Sequence, residues 1–443
     1  MKNIDLTKGR VGKVLLSLAL PIMGSSLLQF TYNLIDMLFV GGLGSDAVAS
    51  IGSSSFFIGL GNSISALIMI GTSIKVAHSV GKEEVQEMKD YIRAGIQLSL
   101  ILGLIYGSVL IFFGKSFIGF LQMNNTHVEY EAYHYLIWSA PMLVFSFLNA
   151  LFSRVFASLG NTKKALYINI IGIGINIILD PILIYVVGWG VVGAAIGTLI
   201  ANVVMFIFYL KVGKEILSFS FKYFAFDKIK EIIKLGIPIA FQRILFTLIN
   251  IILAKLIAGF GSDAVAAQKI ALQIEAVTYM VTGGLNGGVA SFTGQNYGAK
   301  KYDRLQKGYY SALTIGVAYA ALSAAIFWFI PKELAGMFVK EVETISIAAS
   351  YLRIIAYSQI FNAMEMVSNG FFTGIGKPKI PAFVSVIFTA LRLPMAYILT
   401  DYLGLDGIWW SITLSTALKG TVLMGIYCVK TRKLSQYNGI NKF

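Results

Sequence analysis

Four of the chain's 22 acidic residues, Asp36, Asp180, Glu275 and Glu365, lie well inside long apolar runs. An ionisable side chain surrounded by hydrocarbon is expensive, so each is a candidate for work on ions or substrate. Asp36 and Asp180 stand about five and eight residues from the ends of their runs, which puts both roughly 7–12 Å beneath one membrane surface at helical rise. Thr198 falls at similar depth. Asn176 precedes Asp180 by four residues and Tyr32 precedes Asp36 by four, so each pair shares a helical face. Pro181 has no N–H to offer the carbonyl of Ile177, which is left free beside Asp180. Carboxylates, an amide, a hydroxyl and a freed carbonyl at one level form an oxygen-rich nest. Asp36, Asn176, Asp180 and Thr198 are thus the candidate ligands for a hard cation such as Na+, or the holders of a shared proton. The plainer alternative, that the two carboxylates only hydrogen-bond neighbouring helices, is the weaker account for two acids at matched depth.

Glu275 and Glu365 share their half of the chain with Arg243, Lys255, Lys269, Arg353, Arg392 and Lys419, all within apolar runs. Arg243 and Lys255 are close enough to run ends to snorkel. Lys269, Arg392 and Lys419 lie deeper, and the two glutamates are candidates to neutralise them. Tyr32, Asn33, Glu275, Glu365 and Arg392 are the candidates for a substrate cavity or its polar network. His78, His127 and His134 read as surface residues.

The elements that must position these residues are transmembrane helices. The 443 residues are 56% hydrophobic and 13% charged, with a mean hydropathy of +0.74, whereas a soluble domain carries roughly 25% charge. Hydrocarbon is therefore the solvent for much of the surface. Apolar runs between polar punctuation predict about twelve helices, at 12–41, 47–78, 92–114, 132–158, 164–187, 191–211, 232–258, 264–294, 307–330, 346–373, 380–402 and 407–429. Pro21, Pro141, Pro181, Pro238 and Pro394 are expected kink sites. The first apolar run continues as a full span, so no removable signal peptide is expected.

Cys428 is the only cysteine, which excludes an intramolecular disulfide and a thiolate metal cage. No nucleophile motif, Walker loop or dinucleotide fingerprint occurs, so neither an enzyme nor an ATP-driven pump is indicated and no cofactor is expected. The net charge of +14 is topological: 25 of the 36 Lys and Arg fall in connections on one side of the spans. The positive-inside rule then makes both termini cytoplasmic and the span count even, and removes any need for a nucleic-acid partner.

A repeat organises the chain. Leu43-Gly44-Ser45-Asp46-Ala47-Val48-Ala49 returns as Phe260-Gly261-Ser262-Asp263-Ala264-Val265-Ala266, a shift of 217 residues that also maps Pro21 onto Pro238 and Gly71 onto Gly288. Gly160 returns as Gly376, a shift of 216. Six spans per half make the repeat parallel, an architecture of transporters that rock two bundles about a central site. The expected division is an N-terminal lobe over 1–210, a cytoplasmic linker over 211–231 and a C-terminal lobe over 232–443.

The stretch from Asn176 through Asp180-Pro181 to Ile184, with Val192-Gly193-Ala194-Ala195-Ile196-Gly197-Thr198, resembles the multidrug and toxic compound extrusion (MATE) family, in its prokaryotic DinF-like branch. Leu20-Pro21-Ile22, Asn33-Leu34-Ile35-Asp36, Gly294-Gln295-Asn296-Tyr297-Gly298-Ala299 and Gly370-Phe371-Phe372-Thr373-Gly374-Ile375-Gly376 extend the resemblance over the whole chain. It implies an all-α, two-lobed antiporter of the prokaryotic plasma membrane that exports small organic compounds against inward Na+ or H+ and works as a monomer. Its coupling site carries over onto Asp36, Asn176, Asp180 and Thr198. Other branches place acidic coupling residues in spans 7 and 10; here span 7 has none, Asn362 occupies the span 10 position, and Glu365 lies one turn away. The alternative function is a flippase of lipid-linked oligosaccharides or precursors from the same superfamily.

Overall fold

The computed structural model describes residues 5–123, 125–217 and 224–435, and among them every regular element is helical. Helices α1 (Val11–Gly41), α2 (Ser45–Gly81), α3 (Val85–Phe120), α4 (Thr126–Ser158), α5 (Thr162–Pro181) and α6 (Gly190–Val212) come first. Then follow α7 (Phe226–Ala258), α8 (Ser262–Gly298), α9 (Tyr302–Phe329), the short α10 (Pro331–Gly336), α11 (Val342–Ala356) and α12 (Gln359–Gly374). The last are α13 (Lys379–Ala390), α14 (Arg392–Leu403) and α15 (Leu405–Ser435).

Among the described residues ten segments are long and apolar enough to cross a membrane. The other two expected spans, 264–294 and 346–373, are helical too, and they fall short for physical reasons. Polar residues such as Gln268, Lys269, Gln273 and Glu275 dilute α8, while a turn at Tyr357 and Ser358 divides the second stretch into α11 and α12. Large apolar side chains such as Leu38, Phe112 and Phe120 are exposed, as lipid-facing residues are.

The repeated motif builds the same turn twice. Gly44 and Gly261 take φ of 108° and 103° directly before α2 and α8, a left-handed conformation that a Cβ would disfavour. Pro21, Pro141 and Pro238 sit within continuous helices. The remaining two expected kink sites accompany real interruptions. Past Pro181 the helix widens into a π-type turn over Ile182–Val186, in which the Val187 N–H donates to the Ile182 carbonyl at 2.8 Å. Pro394 cannot donate to Ala390, and the expected single span breaks between α13 and α14 at Leu391.

The chain packs as two compact units, Gly24–Ala240 and Leu6–Met23 with the chain from Phe241 onward. The division falls inside α1 and α7. The stretch 211–231 belongs to the first unit, and 218–223 lies outside the described residues. The first unit's core gathers Ile92, Leu136, Leu143, Phe147, Phe152 and Phe156 from α3 and α4. Its α2 and the beginning of α7 meet backbone to backbone: a Cβ on Gly71 would stand 2.3 Å from the Ile232 carbonyl oxygen, and one on Gly236 would stand 2.2 Å from that of Leu67. The second unit's core centres on Leu253, Tyr351, Leu352, Ile408 and Trp409.

Candidate functional site

In the first unit α1, α4, α5 and α6 converge on one polar site. Asp180 is fully buried in the last turn of α5, and Asp36 on α1 is half-buried. Their carboxyl groups come within hydrogen-bonding reach of each other. Asn176, one turn before Asp180, donates its amide N–H to Asp180 Oδ1. Across the site the Tyr32 hydroxyl lies 3.3 Å from Thr198 Oγ1. Thr198 spends its single proton on the Ala194 carbonyl at 2.9 Å, so Tyr32 is the donor and Thr198 keeps a lone pair. The structure thus brings together Asp36, Asn176, Asp180, Thr198 and Tyr32. Asn33 stands apart, exposed and accepting a hydrogen bond from Gln29 at 3.2 Å.

Two oxygens leave this site chemically open. Asp36 Oδ1 and Asp180 Oδ2 are buried and have no hydrogen-bond partner among the described residues. Neither carboxylate has a Lys or Arg ion-pair partner there. Ionised carboxylates only accept hydrogen bonds, so two that face each other repel unless a cation or a proton lies between them. The arrangement can therefore hold a small hard cation, or share a proton.

Two further residues shape the site without having been singled out by spacing. Gly197 lies under Asp180: a Cβ there would stand 2.4 Å from Asp180 Oδ1. Gly193, one turn earlier, lets the carbonyl of Leu183 approach in the same way, with a Cβ contact of 2.7 Å. The Gly-x-x-x-Gly spacing of α6 is a sequence signal for such close helix packing. Tyr135 on α4 lies near enough to both carboxylates to feel their charge. Its sequence surroundings carry no mark of that role.

The remaining candidates meet in a separate network in the second unit. Tyr351 donates to Glu275 Oε2 at 2.8 Å, and Gln359 and Tyr279 lie close enough to interact with Glu275. Ser385 donates to Glu365 Oε1 at 3.0 Å, while Lys419 Nζ lies 3.0 Å from Oε2. Arg392 bonds the hydroxyls of Ser415 and Thr416. Glu275, Glu365, Arg392 and Lys419 are all at most 6% exposed. Of the deeper cations, Lys419 is therefore neutralised by Glu365, Arg392 rests on hydroxyls, and Lys269 is exposed.

A family model described as MatE matches residues 21–182 and 238–398, more than half of the chain. Over 98% of its length the chain is 28% identical to a probable multidrug resistance protein NorM of Pasteurella multocida, covering 97% of that relative. It is 25% identical to the multidrug export protein MepA of Staphylococcus aureus, over 96% of this chain and 95% of the relative. Among solved structures, a multidrug resistance MATE family transporter of the MOP superfamily in an outward-facing conformation superposes with a TM-score of 0.91 at 25% identity, covering 98% of this chain and 99% of the other. A MATE structure in a bent conformation superposes with a TM-score of 0.92 at 24% identity, over 99% of this chain and all of the other, and shares the fold.

Proposed function

The chain belongs to the MatE family of multi-pass membrane transporters, and we propose that it is a secondary antiporter that exports small organic compounds in exchange for Na+ or H+. The observation that carries this reading is the facing pair Asp36 and Asp180, each with an unpartnered buried oxygen and neither with a basic partner. Two such carboxylates are stabilised by one incoming cation, which binds between them or is shared as a proton. Asn176 anchors one oxygen of Asp180, and Thr198, fixed by Tyr32 and Ala194, offers a neutral oxygen ligand. Binding cancels charge in a low-dielectric site and so favours a different packing of the helices that carry the acids. A ligand shifts such an equilibrium only by its differential affinity for the two states, and a neutralised buried carboxylate supplies that difference. Asp36 stands on α1, about four turns beyond Pro21, so a change at Asp36 can act on a helix that already lacks one internal hydrogen bond.

The test is efflux of a fluorescent dye from proteoliposomes under an imposed Na+ or pH gradient. With Asp36→Asn, gradient-driven efflux falls roughly a hundredfold, as expected when a buried charged interaction of about 3 kcal/mol is lost. Full gradient-driven efflux by a normally inserted mutant would remove Asp36 from the mechanism.

A further inference from the structure

The second unit holds the beginning of the chain down by its backbone. Asn296, near the end of α8, donates to the Leu6 carbonyl at 3.1 Å, and Lys301 donates to the carbonyl and hydroxyl of Thr7 at 2.8 and 2.9 Å. Arg304 on α9 donates to the carbonyls of Leu6, Lys8 and Gly9 at 3.2, 3.1 and 2.7 Å. Four consecutive carbonyls are thus bound, and Leu6 is fully buried. A terminal segment frays unless it is tied down, and this one is tied at every residue from 6 to 9. The tie fixes the place of Arg10, the residue before α1.

Beside that segment lies a cavity of about 700 Å³, a size within the range of small-molecule sites. Arg10 and Gly12 line it from the start of α1, and Asp303, Lys307, Tyr310 and Ser311 line it from the first turns of α9. All of them belong to the second unit. Arg10 and Lys307 are exposed, and neither has a carboxylate within 4 Å among the described residues. Asp303 is the cavity's one acid, so its charge is positive. A smaller cavity shares Asp303 and is lined by Lys300, Lys301 and Arg304, which makes the surroundings more positive still.

The depth of this cavity separates it from an ordinary basic loop. Arg10 immediately precedes the apolar segment Val11–Gly41, and Lys307 lies five residues inside the segment Tyr302–Phe329, about 7.5 Å along the helix. Both cations therefore stand at the level of lipid headgroups, on the side that the excess of Lys and Arg assigns to the cytoplasm. Tyr310, 44% exposed, is an amphipathic ring of the kind that settles at that level. The same face of α9 continues through Thr314, Ala318 and Ala321, small and exposed, which leaves room along the helix for an acyl chain. The positive-inside rule explains cations on this side. It does not explain two unpaired ones set in one cavity at the membrane surface.

We propose that this cavity seats the headgroup of an anionic phospholipid of the phosphatidylglycerol type. Arg10 and Lys307 take the phosphate oxygens, as basic pockets between membrane helices do. Ser311 and Tyr310 add hydroxyl donors, and Asp303 accepts from the hydroxyls of a glycerol headgroup. The acyl chain lies along α9. The lipid thus adds a second tie between the start of α1 and α9 to the one made by Lys301 and Arg304.

The purified full-length protein in one detergent is titrated with dioleoyl phosphatidylglycerol, dioleoyl phosphatidylcholine or inorganic phosphate. The rise in melting temperature gives each apparent affinity. Phosphatidylglycerol stabilises the wild type at concentrations about tenfold or more below those of phosphatidylcholine, and inorganic phosphate gives no rise in that range. Arg10→Gln and Lys307→Gln each weaken phosphatidylglycerol about fivefold, the contribution of one cation near an anionic lipid. Both spare phosphatidylcholine and the melting temperature without lipid, because the two side chains are exposed and unpaired. Lys163→Gln removes the same charge from an exposed site on the first unit and leaves phosphatidylglycerol affinity unchanged. Equal affinity for the two lipids, equal weakening by Lys163→Gln, or the same rise with phosphate alone would each overturn the lipid site.

Discussion

In the first unit Asp36 and Asp180 face each other with no basic residue in reach, whereas in the second Glu365 is held by Lys419 at 3.0 Å and Glu275 by Tyr351 at 2.8 Å. Both pairs of acids sit in helices of one repeated design, and both cost free energy to place in hydrocarbon. What separates them is the accounting of donors. The glutamates have partners that satisfy them in place, so their charge is fixed into the fold. The aspartates keep two oxygens unpartnered, so their charge is available to something that comes and goes. Burial alone does not distinguish a working carboxylate from a structural one; the unspent lone pairs do.

The sharpest way to break this contrast is to unpair the second unit. Lys419→Met leaves Glu365 with only Ser385 and lowers stability by about 3–5 kcal/mol, read as thermal unfolding in detergent, while Lys419→Met with Glu365→Met together recovers most of that loss. If the single substitution is harmless to stability, the second network is not structural and the contrast fails. In the first unit, Gly197→Ala pushes Asp180 from its place, because the new Cβ would stand 2.4 Å from Oδ1. Coupled efflux falls about tenfold or more, as small misplacements of a working group do. Gly174→Ala, with nothing within 4 Å of its Cβ, leaves efflux unchanged and serves as the control. The smallest effect belongs to Tyr32→Phe. It removes a neutral 3.3 Å hydrogen bond to Thr198 and slows coupled efflux about threefold.

The nest in the first unit was legible in the sequence because three simple measures agreed on it. Depth along a helix, four-residue spacing and the missing N–H of Pro181 all select Asp36, Asn176, Asp180 and Thr198, which the structure brings together. Tyr135 was not legible, since it reaches the site across a helix interface from an unremarkable aromatic stretch of α4. Gly197 matters only through an oxygen that comes to it from another helix, and a run of small residues does not say which one that is. In the second unit the sequence offered more cations than acids without their pairing. Lys419 and Glu365 are 54 residues apart on separate helices, so no periodicity links them, and the partners of Arg392 appear only once Ser415 and Thr416 are seen to hold it.

The central claim, that Asp36 and Asp180 act as one cation site, is tested most directly by a double-mutant cycle on gradient-driven efflux. Asp36→Asn, Asp180→Asn and the double substitution are compared in proteoliposomes at matched protein density. If both acids hold one ion, the double mutant is no slower than the slower single mutant, because either change already empties the site. Losses that multiply, each acid contributing its own factor, would mean that the two carboxylates work independently and would contradict the account.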